Sequence, residues 1–100
     1  MTIYLVRESY DDGMEGPETE SFDHILLSQG GFKTRIDAYA ACKALAENRL
    51  KNFLEYQDME FDNELKPDDP GIEYLDDNCE VRTWYIWDEY RYYVSPLEVH

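Results

Sequence analysis

One hundred residues are a single-domain length with room for a modest core, and 43% hydrophobic and 15% aromatic content excludes a disordered acidic tail. A formal net charge of −14, from 23 acids against nine bases, excludes nonspecific binding of nucleic-acid phosphates and of anionic membranes, since both need clustered Lys and Arg. No apolar run reaches the roughly 18 residues of a membrane span, and "MTIYLVRESYDDG" lacks the basic start and apolar core of a signal peptide. A cytoplasmic protein is therefore expected.

In chain order, "TIYLVRESY" is rich in β-branched and aromatic residues and predicts a strand from Thr2 to Tyr10. "DDGMEGPETE" is a loop by its breakers, and "FDHILLSQ" resumes a strand from Asp23 to Ser28, ended by a turn at Gly30-Gly31. Residues 32–57 carry the clearest helix, with Thr34 as N-cap and Asp37 at the capping-box position. Its alanines favour helix, and Ala38, Cys42, Leu45, Ala46, Leu50, Phe53 and Leu54 fall near one face, expected to be core.

The helix is expected to end at Gln57, where "QDMEFDNEL" begins to alternate acids with Met59, Phe61, Asn63 and Leu65, as an amphipathic strand does. Pro67, Pro70 and Gly71 make the next stretch irregular. "EVRTWYIWDEYRYYVSP" is strongly β-prone and reads as two strands about a turn at Asp88-Glu89, with Trp84 and Ile86 inward and Tyr85 and Trp87 outward. The layout is an α+β domain, one long helix packed on an antiparallel sheet in a ββαββ-like order.

Signatures of chemistry are missing. His24 and His100 have no nucleophile beside them in a local motif, and Ser28 lacks the GxSxG elbow. Asp58, Glu60, Asp62 and Glu64 imitate the first four ligand positions of an EF-hand, but Asn63 stands where the turn glycine belongs and Lys66 at the ninth position. "SQGGFKT" misses the P-loop spacing. Cys42 and Cys79 form no CxxC and no zinc spacing, so free thiols are expected. No catalytic residue, metal or cofactor is expected. The aromatics of "WYIW" and "YRYY" lie in a nearly neutral segment, which suits protein contacts better than base stacking.

What remains is the placement of charge. Residues 33–54 carry a net +3, whereas residues 55–80 carry −10 and residues 1–32 carry −6. Such acids serve solubility, high salt, or a basic partner. On a strand, same-face side chains recur about every 6.6 Å, near the through-space spacing of phosphates along one DNA strand. Asp58, Glu60, Asp62, Glu64, Asp68 and Asp69 are the leading candidates for contacts with a basic protein. Asp11, Asp12, Asp76 and Asp77 form a second group, with Phe61 and Tyr74 as aromatic anchors.

In size, acidity and lack of catalytic motifs the chain resembles small phage-encoded inhibitors, particularly anti-CRISPR proteins and related DNA mimics. The resemblance implies a non-enzymatic inhibitor in the bacterial host cytoplasm. It would bind a basic nucleic-acid-binding protein, a CRISPR–Cas effector subunit, and block DNA recognition without itself binding nucleic acid. The alternative is an interaction or accessory domain whose acidity serves solubility alone.

Overall fold

The computed structural model describes residues 1–13, 21–60 and 69–100. Six strands and one long helix follow the order β1 (Thr2–Asp11), β2 (Ser21–Ile25), β3 (Gly31–Phe32), α1 (Arg35–Glu60), β4 (Gly71–Leu75), β5 (Glu80–Tyr85) and β6 (Asp88–Glu98). The fold is α+β. The strands make one antiparallel sheet in the order β2-β1-β6-β5-β4, with β3 pairing β1 beyond the end of β2.

The helix lies across one sheet face. Thr34 caps it as expected, its Oγ1 accepting the Asp37 backbone N–H at 3.1 Å. Ala38, Cys42 and Ala46 are fully buried, and their small side chains let the helix approach Val6, Val81, Tyr92 and Val94 of the sheet. Alternation along β1, β5 and β6 supplies this core: Val6, then Val81, Thr83 and Tyr85, then Tyr92 and Val94. Cys42 and Cys79 are free thiols, and burial pushes the Cys42 thiol up to about 12. Among the described residues, no helix is long and apolar enough to cross a membrane.

The structure corrects several expectations. The helix does not stop at Gln57 but runs to Glu60, and Gln57 is buried in it. Extending an existing helix costs no new nucleus, Met and Glu are good helix formers, and no Pro or Gly intervenes. Positions two apart on a helix differ by about 200°, so the alternation from Asp58 to Glu60 does not line one face. Leu54, expected in the core, is exposed.

Strand β2 starts and ends earlier than Asp23–Ser28, because β3 takes over the pairing with Tyr4 and Leu5; Leu27–Gln29 form a 3-10 turn between them. The stretch read as irregular contains β4, which pairs β5 from Gly71↔Trp84 to Leu75↔Glu80. Pro70 just precedes this edge strand, where a missing N–H is tolerated. A Cβ at Gly71 would overlap the Trp84 indole, so glycine lets the ring lie across the strand.

The hairpin turn falls at Ile86-Trp87, two residues before the expected Asp88-Glu89, with Tyr85 paired to Asp88. Strand parity is also reversed. Val81 and Thr83 point to the helix and carry Tyr85 inward with them (3% exposed), while Trp84 and Ile86, expected inward, are 39% and 53% exposed; Trp87 is outward as expected.

Candidate partner-binding surface

Strands β1 and β5 end, and β6 begins, at the same end of the sheet as the C-terminal half of α1. Against the β5–β6 turn, Arg49, Asn52, Phe53 and Tyr56 of the helix face Tyr85, Ile86, Trp87 and Asp88 across a cavity of about 460 Å³, with Asp12 at its edge. Rings build the wall. Phe53 sits 5.6 Å from Tyr85 and 6.1 Å from Tyr90 between centroids, and Tyr56 meets Tyr85 edge-on at 6.4 Å. These separations are those of favourable aromatic pairs.

The turn that closes this end is strained. Ile86 takes φ 57°, a left-handed conformation that costs a β-branched residue about 1–3 kcal/mol. Glycine is usual at the first position of such a two-residue hairpin. Gly13 explains part of the support around it: its own φ is +69°, and a Cβ there would stand 2.6 Å from the Trp87 carbonyl oxygen. The chain leaving β1 is therefore pressed against the turn, held by the Gly13 N–H donating to Asp11 Oδ1 at 2.8 Å.

Electrostatics at this end are asymmetric. The Tyr10 hydroxyl donates to Asp88 Oδ1 at 2.6 Å, and this bond, with burial, raises the Tyr10 pKa. Arg49 is turned away toward β1 and β6. Its guanidinium lies 4.0 Å over the Tyr90 ring and 3.6 Å from Glu8, and its Nε donates to the Tyr92 hydroxyl at 3.4 Å. Glu8 also accepts the Tyr92 hydroxyl at 2.7 Å and lies 3.2 Å from His24 Nε2. The cation on the cavity wall thus has its own carboxylate, and two further acids, Asp12 and Asp88, line the same cavity.

On the sheet face away from the helix, the other arginines are similarly engaged. Arg7 donates to Asp23 at 3.1 Å, Arg82 to Glu80 at 2.9 Å, and Arg91 lies 3.4 Å from Glu80. Arg82 and Arg91 are direct cross-strand partners, so the shared Glu80 offsets their repulsion. The Tyr93 hydroxyl, followed by Arg7, holds Asp23 below the usual carboxylate range. Cations of the sheet are used inside the sheet.

The residues singled out from sequence are distributed unevenly. Asp11 is exposed at the end of β1, and Asp12 reaches the cavity. Asp58 and Glu60 belong to the last turn of α1, and Asp69 is exposed just before β4. Asp76 and Asp77 lie in the β4–β5 turn at the other end of β5, a six-residue strand away, or about 20 Å. Tyr74 is there as well, and its hydroxyl donates to Glu47 of the helix at 2.8 Å. Phe61, Asp62, Glu64 and Asp68 lie outside the described residues.

The second expected group is therefore split, with Asp11 and Asp12 at the hairpin end and Asp76 and Asp77 at the β4–β5 turn. Trp87 is exposed, as expected, whereas the exposed Ile86, the buried Tyr85 and the helix residues Phe53 and Tyr56 were not read from sequence as parts of this surface. The run "WYIW" holds Tyr85, Ile86 and Trp87, and so dense an apolar run cannot all turn inward on one strand. Among the described residues, no group of three or more His, Cys, Asp and Glu is arranged to hold a metal ion.

No family model, curated protein or solved structure matches this chain.

Proposed function

We propose that this chain is a non-enzymatic acidic binder that docks on a basic nucleic-acid-binding surface of another protein and blocks it, the target being a bacterial CRISPR effector. The observation that carries the reading is the hairpin end. Ile86 and Trp87 stand 53% and 67% exposed on a strained turn at an aromatic cavity that Asp12 and Asp88 also line, in a chain of net charge −14. Exposed Trp and Tyr beside desolvated pockets are the usual source of interface energy, and surrounding carboxylates speed association with a basic face.

The docking end differs from the acidic row that the sequence favoured. Asp58 and Glu60 are helical, so DNA mimicry by a straight ladder of alternating acids is not part of the proposal. Blocking through a compact patch takes its place.

The test is binding of the chain to purified effector complexes, with and without their target DNA, at several salt concentrations. The expected result is competition with DNA and an affinity that falls as salt rises. Binding that ignores both DNA and salt, or no binding to any effector, overturns the reading.

A further inference from the structure

We propose that the cavity at the hairpin end is a receptor for one arginine side chain of the basic partner. This deepens the binder reading given above and rests on it. Three features define the occupant. The walls are rings, and the face of a Trp or Tyr attracts a cation within about 6 Å of its centroid. Two of the lining residues, Asp12 and Asp88, are acids. Asp88 spends one acceptor site on Tyr10, and a carboxylate has about four. The volume of about 460 Å³ admits a long side chain rather than a bare ion, with room for its stem against Phe53 and Ile86.

Arg49 would seem to oppose a second cation on the same wall, but its geometry argues the reverse. Its guanidinium lies 4.0 Å over the Tyr90 ring and 3.6 Å from Glu8, so its charge is offset by that carboxylate. It also shows that rings of this cluster already carry a guanidinium. A planar guanidinium with several donors matches a carboxylate pair better than the point charge of lysine does. A neutral apolar side chain would bury beside Asp12 and Asp88 with nothing to offer them, and an anion would meet both.

The experiment uses the full chain and two small probes, N-acetyl-arginine amide and its uncharged isostere N-acetyl-citrulline amide. Binding is followed through the Trp87 indole and Asn52 side-chain amide signals in NMR titrations. The arginine probe is expected to shift both signals saturably, with a dissociation constant in the millimolar range, and the citrulline probe to bind at least about fivefold more weakly.

Asp88→Asn should weaken the arginine probe about fivefold, and Trp87→Ala should abolish the Asn52 shift while Trp87→Phe keeps it. Trp87 is exposed, so these variants are expected to melt as the parent does. Equal binding of citrulline, an undiminished Asn52 shift in Trp87→Ala, larger shifts of the same signals by inorganic phosphate, or no saturable shift overturns the assignment. If the arginine probe fails while the chain still competes with DNA for an effector, the receptor is wrong and the binder reading stands. If the probe binds and no effector does, the receptor stands and the binder reading falls.

Discussion

The two ends of the sheet carry the same kind of charge and use it differently. At the β4–β5 turn, carboxylates tie the helix to the sheet. Tyr39 of α1 donates to Asp76 at 2.5 Å, and Tyr74 of β4 donates to Glu47 of α1 at 2.8 Å. The depression there is lined by Tyr74, Leu75, Asp76, Asp77 and Asn78, with little apolar surface to offer a partner. At the β5–β6 turn, the large apolar side chains Ile86 and Trp87 are left outside, over an aromatic cavity. Acidity alone therefore does not mark a binding surface. The difference lies in the apolar side chains beside the acids: Ile86 and Trp87 stand exposed at the cavity, whereas Tyr39 is buried and the Tyr74 hydroxyl is held by Glu47 of the helix.

This contrast can be broken most forcefully at Tyr39, which is 7% exposed and lies in the core. Tyr39→Ala should cost about 3–5 kcal/mol of stability by cavity formation, read by urea denaturation. Tyr39→Phe, which loses only the bond to Asp76, should cost about 1 kcal/mol. Affinity for a partner should not change with Tyr39→Phe. A loss of affinity there would move the binding surface to the wrong end.

Trp87→Ala is the mirror experiment. Partner affinity should fall by about 2 kcal/mol or more, while stability should move by no more than about 0.5 kcal/mol, as for an exposed side chain. Calorimetric titration and thermal melting together separate the two effects. Ile86→Gly should then stabilise the fold by about 1 kcal/mol, because glycine adopts the left-handed conformation without strain. An unchanged or lower melting temperature would mean that the turn's strain is not relieved by removing the side chain.

The smallest effect belongs to the open sheet face. Asp23 has its pKa lowered by Tyr93 and Arg7, so its contribution is present above the ordinary carboxylate range and is lost as pH falls through the depressed folded value. Its side chain is 39% exposed, and solvent screening limits the contribution to about 0.5 kcal/mol. The stability difference between the parent and Asp23→Asn should shrink on acidification below that range. A difference that persists at low pH would assign the effect to packing.

Much of the fold was legible in the chain because the signals were local. Alanine content and the Thr34 cap mark α1, β-branched and aromatic runs mark β1 and the β5–β6 region, and the α+β class follows from their order. The helix end was misread because the alternation of acids after Gln57 has the period of a strand, whereas the hydrogen-bond ladder already running from Arg35 decides the conformation. The inward face of β5 was misread because "WYIW" is apolar at every position. Periodicity has no preference in such a run, and the choice falls to Val81 and Thr83 packing on Ala38, Cys42 and Ala46.

By itself the sequence determined the acidic excess, the single long helix, the antiparallel sheet and the lack of recognisable catalytic motifs, because these depend on composition and neighbouring residues. Only the tertiary structure decided which acids keep company with which rings. Asp12 and Asp88 are 76 positions apart and line one cavity. Asp76 and Asp77, read with Asp11 and Asp12 as one group, are carried to the other end of β5. Strand order and register set those distances, and they come from long-range pairing that no local pattern encodes.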